Sequence, residues 1–230
     1  MRTTAVLLAA GKGLRVNSSI PKQFLDICGK ELWEYSFETV HRVHTIDRIV
    51  IVTLREWVKH IRQRLTNVPK DKVVEVIEGG EKRQDSVYNA LVFISEDRPD
   101  IVAIHDTARP MASQQHFVNC INAAMEYGAC TLASEVIDTM IRAKNEHIIK
   151  VVPRAGLYHV QTPQCFKFDI IYKAHNNAKA KDTFYTDDAT LVLNELAIDV
   201  KIILGERTNI KITSRSDIEL LRCLIAKKGK

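Results

Sequence analysis

Several features that would settle the class of this chain at once are missing from it. Its five cysteines, Cys28, Cys120, Cys130, Cys165 and Cys223, are odd in number, scattered and never spaced as C-x-x-C. No disulfide framework or thiolate zinc site follows from them. Each reads as a small buried or half-buried apolar residue in a reducing cytoplasm. No apolar run is long enough to span a bilayer, and Met1-Arg2-Thr3-Thr4 leads straight into a strand. Neither a membrane span nor a signal peptide is expected. A Walker A loop is missing, because the spacing G-x-x-x-x-G-K-[ST] does not occur. The dinucleotide fingerprint fails as well, since Val16 stands where its third glycine belongs. A P-loop ATPase and a nicotinamide dehydrogenase both lose ground. No Ser-His-Asp or Cys-His set can be assembled without arbitrary choices. His41-x-x-His44 has one-turn spacing on an expected helix, but without a further ligand nearby it reads as a surface pair. The formal net charge is only +5, part of it in the Lys227-Lys228-Gly229-Lys230 tail. That is too little for a nucleic-acid patch. Repeats, linkers and low-complexity segments are also lacking.

What is present is an ordinary globular composition, 46% hydrophobic and 27% charged over 230 residues, with ample material for a large core. Short apolar runs at 4–8, 48–53, 73–77, 101–104, 129–133 and 200–204 read as strands. Amphipathic stretches at 31–43, 56–65, 86–94, 168–178, 188–194 and 216–226 read as helices. Another helix runs from an N-cap at Ser113 through Tyr127, stopped by Gly128. The alternation predicts an α/β fold with a mostly parallel sheet and helices on both faces. Between Ser134 and Val152 the pattern breaks. Val136, Thr139, Ile141 and Ala143 alternate with polar residues, and Ile148, Ile149, Val151 and Val152 follow a polar tip. This reads as a β-hairpin projecting from the sheet, or as an antiparallel extension of its edge. An isolated hairpin is marginal in water, so a second subunit is the simplest packing partner. The expected organisation is one domain over 1–230 with an arm at about 134–153.

Parallel sheets place ligands at the carboxyl ends of their strands, and five polar clusters fall at predicted strand ends or in adjoining loops. The first is Ala9-Ala10-Gly11-Lys12-Gly13-Leu14-Arg15 with Pro21-Lys22-Gln23. Its glycines turn the backbone and present N–H groups, and Arg15 and Lys22 add fixed positive charge, as a polyphosphate pocket requires. The second is Gly79-Gly80-Glu81-Lys82-Arg83-Gln84-Asp85-Ser86. The glycines allow close approach to a flat ligand such as a base, while Ser86 could be simply the N-cap of the next helix. The third is His105-Asp106-Thr107-Ala108-Arg109-Pro110. Asp106 could hold Mg²⁺ or a hydroxyl, or merely pair with Arg109. The fourth is Gln161-Thr162-Pro163-Gln164 with Thr186-Asp187-Asp188-Ala189 downstream, whose acids could equally serve a helix dipole. The fifth is Asn209-Ile210-Lys211-Ile212-Thr213, where an inward lysine on a strand needs an anionic partner.

In this order the clusters resemble the 2-C-methyl-D-erythritol 4-phosphate cytidylyltransferase family. The matching runs are Ala9-Ala10-Gly11-x-Gly13-x-Arg15, Pro21-Lys22-Gln23, Gly79-Gly80 with Arg83-Gln84-x-Ser86-Val87, His105-Asp106-x-Ala108-Arg109-Pro110, Gln161-Thr162-Pro163-Gln164, Thr186-Asp187-Asp188-Ala189 and Asn209-Ile210-Lys211. They span nearly the whole chain. The resemblance implies a Rossmann-like three-layer α/β sandwich with a protruding β-arm, CTP and a polyol phosphate as substrates, Mg²⁺, and a homodimer whose arms cross into each other's sites. It implies Arg15, Lys22 and Lys211 around the triphosphate and reacting phosphorus. Ala9, Ala10, Gly11, Gly13, Gly80, Glu81 and Ser86 would hold the nucleotide. Asp106 would contact acceptor or metal, and Arg109 the acceptor end. Thr139 and Arg154, on the arm, would bind methylerythritol phosphate in the other subunit. The chain departs from the family pattern at Val16-Asn17, usually Met-Gly, at Thr107, usually Ala, and at Glu81, where Asp is common. A ribitol 5-phosphate cytidylyltransferase is the nearest rival, although such enzymes more often carry a Gly-Gly opening and a Val before the arginine of the third cluster. A catalytically silent CTP-binding protein is the rival from another class.

Overall fold

The structure is a computed structural model that describes residues 1–11 and 20–228. The chain opens with β1 (Thr3–Ala9) and a single 3₁₀ turn at Lys22–Phe24. A small ribbon of β2 (Asp26–Ile27) and β3 (Lys30–Glu31) leads into α1 (Leu32–His41) and β4 (Arg48–Thr53). Then come α2 (Val58–Arg64), β5 (Val73–Glu78), α3 (Arg83–Phe93), β6 (Ile101–Asp106), α4 (Gln114–Tyr127) and β7 (Ala129–Glu135). The arm is β8 (Met140–Lys144) and β9 (His147–Val152). The chain closes with β10 (Tyr158–Lys167), α5 (Phe168–Ala180), α6 (Asp188–Leu196), β11 (Lys201–Leu204) and α7 (Arg215–Lys228).

Seven strands form the main sheet in the order β11-β7-β10-β6-β1-β4-β5. Adjacent pairs are parallel except around β10, which is antiparallel to both β6 and β7. The central strands are apolar throughout because both faces are covered. Ala5 and Leu7 of β1, with Ile49 and Ile51 of β4, join Trp33, Phe37 and Phe117 from α1 and α4. Val6, Val50 and Val52 point the other way, toward Val87 and Leu91 of α3 and Ile171 and Ala174 of α5. Ser113 caps α4, its hydroxyl accepting from the His116 N–H, and Gly128 ends the helix at φ +86°.

The chain builds outward from β1 to β4 and β5, then returns to place β6 on the other side of β1. That reversal is a topological switch point, the place where an open α/β sheet offers a crevice at the carboxyl ends of its strands. A third core cluster of Ile27, Leu32, Met111, Ile212 and Leu221 packs α7 and the irregular segment before it beside this crevice. Burying each large apolar side chain contributes about 1.5–3 kcal/mol, enough to hold a segment that has no ladder of its own.

Several expectations need correction. β10 is a ten-residue strand that contains Gln161-Thr162-Pro163-Gln164, so that cluster lies inside the sheet and not at a strand end. Pro163 is tolerated because the ladder to β7 is interrupted between Val160 and Gln164. The segment 209–213 is not a strand. Helix α3 begins at Arg83, so Ser86 sits within it and is not its N-cap. Cys120, Cys130 and Cys165 are buried as expected, but Cys28 and Cys223 are exposed. The hairpin forms its own two-stranded sheet and is not an extension of the main one. His41 is half-buried beside Asp71, at 3.2 Å, whereas His44 is exposed.

Candidate active site at the switch point

The end of β1 and the residues just after it are held by Gln23, whose buried side-chain amide donates to the carbonyls of Ala9 (2.8 Å) and Gly11 (2.9 Å). Gln23 stands in the 3₁₀ turn with Lys22, and Phe24 stacks on Trp57 with ring centroids 3.9 Å apart. One short turn is thereby anchored to β1 by its glutamine and to the core by its phenylalanine. Lys22 is left at the crevice, where its ammonium donates to the carbonyl of Ile212 (2.7 Å), 190 residues away in sequence.

The loop after β5 lies directly against the first. A Cβ built on Gly79 would sit 2.7 Å from Ala10 Cβ and 2.8 Å from Ser86 Oγ. On Gly80 it would meet Asp85 Cβ at 2.3 Å. Only glycine permits this approach. Ser86 accepts from the Gly80 N–H (3.1 Å) and donates to the carbonyl of Lys82 (3.1 Å), so it shapes the glycine turn from inside α3.

Asp106 ends β6 at the centre of the crevice. Its Oδ1 accepts from Arg83 Nε (3.0 Å) and its Oδ2 from Lys211 Nζ (2.6 Å). Burial opposes the charged carboxylate, but Arg83 and Lys211 outweigh it and hold the carboxyl well below its usual range. The anionic partner required by Lys211 is therefore Asp106. The Asp106–Arg109 pair does not form. Arg109 donates instead to the carbonyls of Asn209 (2.8 Å) and Val160 (3.0 Å), tying the β6 loop to β10 and to the fifth cluster.

Behind Asp106 runs a buried relay. The Asp106 N–H donates to Thr162 Oγ1 (3.1 Å), and Thr162 faces His105 Nδ1 (2.9 Å). His105 Nε2 lies 3.1 Å from the carbonyl of Arg109. A carbonyl only accepts, so Nε2 carries the proton and the threonine hydroxyl donates to Nδ1. Burial pushes the His105 pKa down to about 4, which keeps the ring neutral.

All five clusters therefore meet at one edge of the sheet. Gly13 and Arg15 lie outside the described residues. Glu81 is exposed at the rim. Thr139 and Arg154 are exposed at the base of the arm, Arg154 donating to the carbonyl of Ile137. Among the described residues no hydrogen bond or ion pair joins either of them to the crevice. The sequence reading overlooked Arg83, Asp188, Thr162 and Gln164 as parts of one network. Asp187 does cap α6, accepting from the Thr190 N–H (3.0 Å), but its neighbour Asp188 turns inward to Arg83 Nη1 (2.7 Å). Gln164 receives the N–H groups of Asp188 (3.0 Å) and Ala189 (3.2 Å). Only the unmet demand of a buried charge could have pointed to these partners.

With Lys22 and Lys211 held at a switch point of a mostly parallel sheet, the architecture is that of an α/β protein that handles a phosphorylated nucleotide. The family is more specific. A family model described as 2-C-methyl-D-erythritol 4-phosphate cytidylyltransferase matches residues 3–227, and the chain belongs to that family. A curated relative of that name from Thermotoga neapolitana is 39% identical over 224 residues, covering 97% of this chain and 96% of its own. Another from Geobacillus kaustophilus is 37% identical over 228 residues, covering 99% of each. The crystal structure of 4-diphosphocytidyl-2C-methyl-D-erythritol synthase from Anaerococcus prevotii superposes with a TM-score of 0.86 at 27% identity, covering 98% of this chain and 96% of that one.

Proposed function

We propose that this crevice transfers a cytidylyl group from CTP to 2-C-methyl-D-erythritol 4-phosphate, giving CDP-methylerythritol and pyrophosphate in non-mevalonate isoprenoid precursor synthesis. The observation that carries the reading is the convergence of Lys22 and Lys211 on one corner. Lys22 is bonded to the carbonyl of Ile212, and Lys211, one residue before it, is bonded to Asp106.

An acceptor phosphate oxygen attacks the α-phosphorus of CTP, and pyrophosphate leaves in line. Both reactants are polyanions, so the obstacle is charge and orientation. Lys22, on a turn pinned by Gln23 and Phe24, supplies a preorganised positive charge beside the nucleotide loop. Lys211 supplies another from the opposite wall. The attacking phosphate is already ionised, so no general base is required. Gly79 and Gly80 let the loop after β5 close against Ala10 and the first turn of α3, which shapes the wall on which the base and ribose would lie. Arg15 completes the cation set from the sequence match alone.

Asp106 does not fit the role of a dedicated metal ligand. Each oxygen of Asp106 already accepts a charge-assisted hydrogen bond. Among the described residues no group of three His, Cys, Asp or Glu side chains is placed to hold an ion. A magnesium ion would come with the nucleotide and would offset the charge of the departing pyrophosphate. The arm supports a homodimer in which Thr139 and Arg154 reach the partner's crevice, because Ile148 and Val151 stand 65% and 60% exposed on it with nothing among the described residues to cover them. No helix among the described residues is long and apolar enough to cross a membrane. The free cysteines suit work in the cytoplasm.

The deciding experiment is an acceptor panel with CTP, read by pyrophosphate release. Turnover with methylerythritol 4-phosphate well above that with ribitol 5-phosphate is expected. The reverse preference would reassign the acceptor, and silence with every polyol phosphate would leave a nucleotide-binding protein.

A further inference from the structure

We propose that Arg83 is a positioning residue for the transfer reaction: clamped from behind by Asp188, its guanidinium fixes Asp106 and, through it, the ammonium of Lys211. The inference rests on the reading of Lys211 as part of a cytidylyltransferase site.

Four charged side chains form a line with alternating sign. Lys211 meets Asp106, Asp106 meets Arg83, and Arg83 meets Asp188 at 2.7 Å. His175 stands behind Asp188 at 3.0 Å. Side-chain exposure is 40% for Lys211, 10% for Asp106, 22% for Arg83 and 1% for Asp188, so the line runs from a half-exposed end to a buried one. The outer end meets solvent and substrate, and the inner end is buried in the core.

Lys211 belongs to a segment with no regular secondary structure, so no backbone ladder aims its side chain. Its aim depends on the carboxylate it reaches, and the rotamer of Asp106 depends on Arg83 Nε. Arg83 in turn uses two different N–H groups on two different carboxylates, while Nη2 is buried without a hydrogen-bond partner among the described residues. The guanidinium is therefore a rigid bracket between α6 and β6, a task for a planar fork and not for a point charge. Asp188 is held in its place by three further contacts: His175 Nε2 on Oδ1, and the N–H groups of Asp188 and Ala189 on Gln164.

The test is a double-mutant cycle on full-length protein, with Arg83→Gln, Lys211→Ala and the pair, followed with radiolabelled CTP so that weak variants stay measurable. Arg83→Gln is expected to lower kcat by about 30-fold and to change KM for CTP by less than about 3-fold, since the nucleotide loop is untouched. In the Lys211→Ala background the same change should cost less than about 3-fold, because its target is already gone. Losses that multiply in the double variant, or a normal kcat in Arg83→Gln, overturn the proposal. If Arg83→Gln does not fold, Asp188→Asn takes its place in the cycle. It keeps the shape of the side chain and loosens the clamp from behind, and the same non-additivity with Lys211→Ala is required. An inactive wild type overturns the functional reading and this inference with it, whereas an active wild type with an additive cycle overturns this inference alone.

Discussion

At the scale of single residues the crevice depends on a few charges whose removal has separable effects. Lys22→Ala and Lys211→Ala should each lower kcat by about 10²-fold, by analogy with deleting one preorganised donor to a developing anion. Near-normal turnover in steady-state assays would remove that lysine from the catalytic set. Gly80→Ala tests the nucleotide loop. The added methyl collides with Asp85 at the first turn of α3, so the loop must move. KM for CTP is expected to rise by about 10-fold or more, while the unfolding temperature shifts by only a few degrees. The buried His105 gives a pH signature. Its folded pKa lies at about 4 against 6.5 for a free imidazole, so the unfolded chain binds the extra proton first as pH falls. Stability should therefore decrease from about pH 6.5 toward 4, by roughly 3 kcal/mol for this one group. Asp106 is shifted down as well, and its contribution, present at neutral pH, drops away only below about pH 4. Urea unfolding at pH 7 and pH 4.5 should show a smaller difference for His105→Gln than for the parent; equal differences would mean that the ring is not the titrating group.

At the scale of elements, legibility followed from how locally each element is specified. Strand β4 occupies Arg48–Thr53 as the apolar run indicates, and α4 starts and stops where Ser113 and Gly128 say it should. These signals are carried within a few residues. β10 was invisible because Thr162 and Pro163 read as turn chemistry, and only its neighbours β6 and β7 supply the ladder that makes the segment a strand. The placement of 209–213 as a strand failed for the complementary reason: apolar Ile210 and Ile212 alternate with polar neighbours, but they pack under α7 and find no strand partner. Of the site, the glycines and lysines were readable by type. The links from Arg83 to Asp106 and Asp188 were not, because they join residues 23 and 105 positions apart. The arm provides the test at this scale. Ile148→Asp with Val151→Asp should shift the species seen in sedimentation from dimer to monomer. Thermal unfolding of the chain's own core should change little, since neither side chain is buried in it. An unchanged dimer would place the subunit contact elsewhere.

At the scale of the whole molecule, a site shared between subunits predicts complementation. Mixed dimers of Thr139→Ala and Lys22→Ala subunits should regain one working crevice, recovering far more activity than either parent. Mixed dimers verified by tag purification that stay inactive would confine each site to one chain. The bond from Lys22 to the Ile212 carbonyl has a consequence for synthesis too. A ribosome delivers the glycine loop early and the opposite wall last, so a nascent chain with most of its sheet already in place still lacks the Lys211 ammonium and the Ile212 carbonyl that holds Lys22. Interrupted translation products are for that reason expected to turn over CTP at least as poorly as Lys211→Ala, and full competence waits for the final helix to emerge.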